Sequence, residues 1–213
     1  MNRRGRKRRT VGKPLTLGLT GSIAMGKSTA AATLRYLGLP VFDADATVHK
    51  LLGPNGAALG PLAARFPGLV GVAGVDRAKM GALVFADPKA LTDLEAILHP
   101  LVHHARGQFI RAAASRRVPV VVLDVPLLFE GKYHRDYDLV AVVTAPAFLQ
   151  KQRALRRPGM TAEKLKGVLT RQMSDAQKRV LADVVITTGL SKRESLRRLK
   201  QLLRVVRTRR KKT

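Results

Sequence analysis

Eight consecutive residues hold the densest chemistry in the chain: Gly21-Ser22-Ile23-Ala24-Met25-Gly26-Lys27-Ser28. Every fixed position of the pattern G-x-x-x-x-G-K-[ST] is filled. A loop of this kind curls successive backbone N–H groups around phosphate oxygens, and Gly21 and Gly26 permit the turn and the close approach. The donors of the cradle are Ala24, Met25, Gly26, Lys27, Ser28 and Thr29. Lys27 has the reach for β- and γ-phosphates, Ser28 offers a hydroxyl to Mg²⁺, and a following helix aims its N-terminus at the anion. The bland alternative, a glycine-rich turn without a ligand, is disfavoured by an apolar strand before the loop and a helix after it.

Moving a phosphoryl group onto an alcohol requires a group to accept the hydroxyl proton. Asp43 and Asp45 follow a predicted strand over Leu39–Phe42, and the C-terminal ends of parallel strands line a ligand crevice. If the strand continues, both carboxylates share a face. One could take the proton and the other hold Mg²⁺ through water, or Asp45 could cap a helix that starts at Ala46. The residues leave that choice open. Asp124 closes the apolar run Val120–Leu123 and is placed as a carboxylate near Mg²⁺ would be, or else simply starts a loop.

Arg153 and Arg157 are four apart and would share a helix face. With Pro158-Gly159 allowing a turn behind them, they suit a mobile lid that stabilises charge on a transferring phosphoryl group and excludes water. Arg171 is a further candidate. A solvated basic helix is the competing explanation for all three.

These residues need elements to hold them. Leu15–Leu19 reads as a strand, Ser28–Leu37 as a helix ending at Gly38, and Ala46 to about Phe66 as helical pieces broken at Gly53-Pro54. Residues 67–75 read as a loop. Asp76–Phe85 and Pro88–His99 read as helices, the latter capped by Asp87, with another over Pro100–Ser115. Val118–Leu123 and Leu139–Val143 are continuous apolar runs, the pattern of strands buried on both faces. Helices follow over Ala147–Arg157, Thr161–Gln172 and Asp175–Leu181, then a strand over Val184–Thr187 and a helix over Lys192–Arg207. Strands alternating with helices predict an α/β fold, a parallel sheet flanked by helices.

Composition limits the partners. With 46% hydrophobic and 25% charged residues in 213, the chain has globular usage and length enough for a core. There is no cysteine, which removes disulfide, thiolate-metal and cysteine-nucleophile chemistry. No apolar run approaches the roughly 20 residues that span a bilayer, and the basic N-terminus lacks a secretory h-region. The expectation is a cytoplasmic protein without a membrane partner. The net charge is +26, of which residues 1–13 carry +7 and 192–213 carry +10. Such ends could bind nucleic acid or another polyanion. With 4% aromatic residues and no Trp, stacking platforms for single strands are not evident.

Together the segments resemble the dephospho-CoA kinase family. The likeness rests on Gly18–Thr29, Phe42-Asp-Ala-Asp45 with His49, Leu94–Val102 with its Leu-His-Pro, Val121–Glu130 with its Pro-Leu-Leu-Phe-Glu, Arg171–Asp175, Lys178-Arg179 and Ala182–Ile186. The resemblance implies a P-loop kinase that moves the ATP γ-phosphate to the ribose 3′-hydroxyl of dephospho-CoA, giving CoA and ADP, with ATP as co-substrate and Mg²⁺. It implies Asp45 as general base and Arg153 as the lid arginine. Arg157 and Arg171 fall on the ATP side, and Thr20, His99, Arg106, Leu128 and Glu130 on the acceptor side. Residues 1–13 then form a disordered basic arm and 14–191 the kinase domain. Within it lie a helical substrate-binding part over about 46–115 and a lid over about 150–175; 192–213 is a separable basic helix or tail. The chain departs from the family at Ser22, at Pro158, and at Thr187-Thr188-Gly189, where Asp or Asn is more usual. Two other readings share single features: a different small-molecule P-loop kinase, and a nucleic-acid-binding protein regulated through the loop.

Overall fold

The computed structural model describes residues 12–189 and 191–211. In chain order the strands are β1 (Leu15–Thr20), β2 (Val41–Asp43), β3 (Val70–Gly71), β4 (Gly74–Val75), β5 (Val120–Asp124), β6 (Leu139–Thr144) and β7 (Val184–Thr187). The helices are α1 (Lys27–Tyr36), α2 (Ala44–Leu51), α3 (Leu59–Arg65), α4 (Arg77–Ala86), α5 (Pro88–Ser115), α6 (Ala147–Leu155), α7 (Ala162–Arg171), α8 (Asp175–Leu181) and α9 (Lys192–Lys211). They form two compact units, one from the chain up to Phe42 and from Ala112 onward, the other from Asp43–Arg111. The basic arm expected over 1–13 lies almost wholly outside the described residues.

The first unit is built on a five-stranded sheet in the order β2-β5-β1-β6-β7. The β1–β5, β1–β6 and β6–β7 pairings are parallel. Every residue of β1, β5 and β6 is buried, which is why Val120–Leu123 and Leu139–Val143 read as unbroken apolar runs rather than alternating ones. Thr16 and Thr20 are buried among the leucines of β1. Strand β1 lies in the middle, with neighbours reached by crossovers on either side. The chain leaves its C-terminal end straight into Gly21–Ser28, at the point where such a sheet binds ligands. Ala30, Ala31 and Leu34 of α1 join Leu17, Leu19, Val122, Ala141, Val143 and Ile186 in one core cluster.

The second unit is helical. Leu52, Ala58, Leu62, Phe66, Leu69, Val75, Ala90, Leu94 and Leu98 form its core. Two sequence readings change here. The stretch read as a loop over 67–75 contains a two-residue antiparallel hairpin, Val70 opposite Val75 and Gly71 opposite Gly74. Gly74 has φ +101°, and a Cβ on it would lie 2.5 Å from the Leu52 carbonyl oxygen, so the hairpin closes only with glycine there. The helices predicted on either side of Pro100 are one, α5, with Pro100 inside it. Proline removes a backbone donor from the ladder, but Ala96 and Pro100 are both exposed, so water can serve the freed carbonyl and the helix continues.

The C-terminal helix also differs from the expectation of a separable tail. Leu199, Leu202, Leu203 and Val206 of α9 are buried in the same cluster as β1 and α1, so α9 covers the sheet. Each such side chain contributes about 1.5–3 kcal/mol by burial. Leu202→Ala should therefore lower unfolding free energy by about 2–5 kcal/mol in urea melts. Deleting 192–213 should leave a chain without a cooperative thermal transition. A truncated protein melting like the full chain would show that the sheet does not need α9.

Candidate active site

The loop after β1 is held in a conformation few residues adopt. Gly26, the N-cap of α1, has φ +93°, and Ala24 has φ +60°. The Met25 N–H donates to the Ser22 carbonyl at 3.2 Å, which tightens the curl. Ala24 is buried with Ala154 and Leu165, and Ile23 and Met160 pack against them. The loop thus rests on the segment that carries the candidate arginines. Gly21 is also closely confined: a Cβ there would lie 2.6 Å from the Val143 carbonyl oxygen.

Lys27 begins α1, and its Nζ lies 2.6 Å from Asp124 Oδ1. Asp124 is 3% exposed at the end of β5, so β5 delivers a buried carboxylate to the loop lysine. Ser28 and Thr29 are exposed in the first turn of α1. Thr20 is fully buried and its Oγ1 has no hydrogen-bond partner among the described residues. An orphaned hydroxyl on the last residue of β1, beside the loop, is a polar group that a ligand could satisfy.

The arginines separate. Arg153 lies in the last turn of α6, and its Nη1 donates to Thr188 Oγ1 at 3.4 Å. The helix ends at Leu155 with Arg156 as C-cap, so Arg157 lies beyond it and does not share a face with Arg153 as the spacing predicts. Its N–H instead closes the turn onto the Ala154 carbonyl at 3.0 Å. Arg157 and Arg171 are exposed. Three neutral residues to which the sequence reading gives no role in the loop hold it. Gln172 Oε1 accepts from the Ile23 N–H at 3.1 Å, Gln150 Nε2 donates to the Ile23 carbonyl at 3.0 Å, and Thr188 Oγ1 donates to the Met25 carbonyl at 2.6 Å. Their partners lie more than a hundred residues away, so no local pattern shows this role.

In the second unit, Asp43 rather than Asp45 caps α2, its side chain accepting from the Ala46 N–H at 2.9 Å. The strand ends at Asp43 and a helix takes over, so the two carboxylates do not share a strand face. Asp45 is left exposed in the first helical turn, a position favoured for a carboxylate by the helix dipole. His99 and Arg106 are seven residues apart in α5 and therefore on one face. His103, between them, stacks on His99 with ring centroids 6.5 Å apart.

Two residues predicted on the acceptor side have partners within the fold, though Glu130 Oε2 has no hydrogen-bond partner among the described residues. Leu128 is fully buried, and its Cδ1 stands 2.9 Å from where a Cβ on Gly18 would be. It is a core residue that fills the space the glycine leaves over β1. Glu130 Oε1 lies 2.8 Å from Nζ of the fully buried Lys178 and accepts from the Met173 N–H at 2.9 Å. Burial works to raise the Glu130 pKa, but Lys178 and the Met173 N–H outweigh it and hold the carboxyl below its ordinary value. A carboxylate of this kind adds stability at neutral pH that is lost as pH falls through its lowered folded-state pKa. Glu130→Gln should accordingly lower the melting temperature at pH 7, leaving Lys178 as a buried charge without its carboxylate. The deficit should shrink as both proteins are acidified below pH 4. A gap of constant size across pH 3–7 would rule out ionisation of Glu130 as the source.

Comparison with known proteins agrees with this geometry. A family model of dephospho-CoA kinase matches residues 15–193. A dephospho-CoA kinase of Novosphingobium aromaticivorans is 50% identical over 195 residues, covering 92% of this chain and 96% of its own. One from Rhodospirillum rubrum is 53% identical over 195 residues, covering 91% and 92%. A crystal structure from Thermus thermophilus superposes with a TM-score of 0.79 at 34% identity, covering 90% of this chain and 97% of that one. With a phosphate loop, a lysine paired to a buried carboxylate at its end and this extent of likeness, the chain belongs to the dephospho-CoA kinase family.

Proposed function

We propose that the chain transfers the ATP γ-phosphate to the ribose 3′-hydroxyl of dephospho-CoA with a definite division of labour among its residues. The observation that carries this reading is the Gly21–Ser28 loop, whose outward polar groups are held by side chains and whose lysine is fixed by Asp124. The inner N–H groups of Ala24 to Thr29 take the phosphates, and Lys27 follows the β- and γ-oxygens. Asp45 accepts the proton of the 3′-hydroxyl as the new O–P bond forms and the bond to the β-phosphate oxygen breaks, leaving ADP. Arg153 balances charge on the moving phosphoryl group, while Arg157 and Arg171 screen the nucleotide. Thr20, His99 and Arg106 contact the acceptor. Glu130 acts at one remove, fixing Met173 and Lys178.

The donors present suit Mg²⁺. Ser28 Oγ and the Asp124 carboxylate are hard oxygens. Among the described residues, no group of three or more His, Cys, Asp or Glu could hold a metal ion, so phosphates and water would complete the shell. When bound, the ion neutralises charge on the phosphate oxygens.

No helix of the described residues is long and apolar enough to cross a membrane, and we place the reaction in the cytoplasm. The test is ADP release from ATP with dephospho-CoA, AMP, adenosine or shikimate as acceptor. Only dephospho-CoA should stimulate release, with CoA as product; turnover on another acceptor instead would overturn the assignment. Asp45→Asn should reduce kcat by about 10²–10⁴ while the KM for ATP stays within about threefold, since a proton acceptor is lost and not a phosphate ligand. An unchanged kcat would remove Asp45 as the base.

A further inference from the structure

We propose that Thr188 is a positioning residue for phosphoryl transfer, its one hydroxyl setting both the phosphate loop and the Arg153 guanidinium. The second half of this proposal rests on Arg153 acting on the transferring phosphate. Thr188 follows β7 and is 8% exposed. Its own N–H donates to the Thr144 carbonyl at 2.7 Å, extending the β6–β7 ladder by one bond, so the sheet fixes where the hydroxyl lies. A hydroxyl has one proton to give. Of the two carbonyls in reach, Met25 at 2.6 Å and Thr144 at 3.4 Å, the nearer takes it. The oxygen still accepts, and Arg153 Nη1 approaches it at 3.4 Å.

The consequence for the loop follows from peptide geometry. The Met25 carbonyl and the Gly26 N–H belong to one planar trans peptide and point in opposite directions. Holding that carbonyl against Thr188 turns the Gly26 N–H away from Thr188, into the curl where the phosphates go. The approach is tight: a Cβ on Gly26 would lie 2.9 Å from Thr188 Oγ1. The same oxygen gives Arg153 an acceptor beside the loop. The hydroxyl of Thr188 is thus the joint between cradle and arginine.

The experiment compares Thr188→Val, which keeps the shape and removes the hydroxyl, with Thr188→Ser, which keeps the hydroxyl. Thr188→Val should raise the KM for ATP roughly three- to tenfold, the worth of one hydrogen bond, and lower kcat by about tenfold as Arg153 loses its register. Thr188→Ser should return both to within about threefold of wild type. A purely structural residue would lower the melting temperature but leave both constants of the folded enzyme alone. Wild-type constants in Thr188→Val, or equal impairment of Val and Ser, would overturn the proposal. Arg153→Ala separates the two halves. If it leaves kcat unchanged, the reading of Arg153 itself fails, and the KM effect of Thr188→Val still judges the loop. If it lowers kcat, adding Thr188→Val should lower kcat little further, whereas fully additive losses would refute the shared joint.

Discussion

A loop that reserves its inner N–H groups for an anion cannot hold its shape through those groups. Its remaining polar atoms must be secured from outside, and the rest of the first unit is arranged around that requirement. The Ile23 N–H and carbonyl are taken by Gln172 and Gln150, and the Met25 carbonyl by Thr188. These three side chains come from the link after α7, from α6 and from the end of β7. Strand β1 supplies the starting point and α1 the exit. Disturbing α6, the link after α7 or the end of β7 reaches the cradle through a hydrogen bond that is buried or partly buried, whose loss leaves a backbone polar group short of its partner.

This arrangement explains what could be read along the chain. The cradle was legible because its demands are local: two glycines for unusual backbone angles, a lysine, a hydroxyl, all within eight residues. The strands β5 and β6 were legible because burial on both faces leaves them apolar up to Asp124 and Thr144 at their C-terminal ends, and β1 because its leucines lead straight into the loop, although Thr16 and Thr20 are buried within it. Asp124 was legible as the carboxylate ending such a run, and the structure supplies its partner, Lys27, 97 residues away in sequence. The roles of Gln150, Gln172 and Thr188 were not legible, because an amide or a hydroxyl does not show in sequence which distant backbone group it will meet. Only their contacts across the fold give them a role.

The misreadings have equally local causes. Pro100 stops a helix when its carbonyl partner is buried, and burial is what one sequence does not display. The hairpin over Val70–Val75 is too short to show alternation. Asp43 and Asp45 invite a strand-face reading because the chain enters them from β2, but Asp43 caps α2 and ends the strand. That capping bond commits Asp43 to structure and leaves Asp45 exposed in the first turn of α2. Leu128 and Glu130 lie in a segment that resembles the family closely, yet fold as filler above Gly18 and as the counter-charge to Lys178.

The charge of +26 divides the same way. Within the fold, positive charge is matched at close range: Lys27 with Asp124 and Lys178 with Glu130. The excess is displayed outside. On α9 the buried Leu199, Leu202, Leu203 and Val206 alternate with exposed Arg193, Arg197, Lys200 and Arg204, spaced to form one outward row. A helix can carry that much charge because its covered face alone decides whether it docks. Salt at physiological strength screens the outer row over about 8 Å of water but barely weakens the enclosed pairs. Net charge, the most conspicuous property of the sequence, therefore says little about the interior of the fold, where Lys27 and Lys178 each meet a carboxylate.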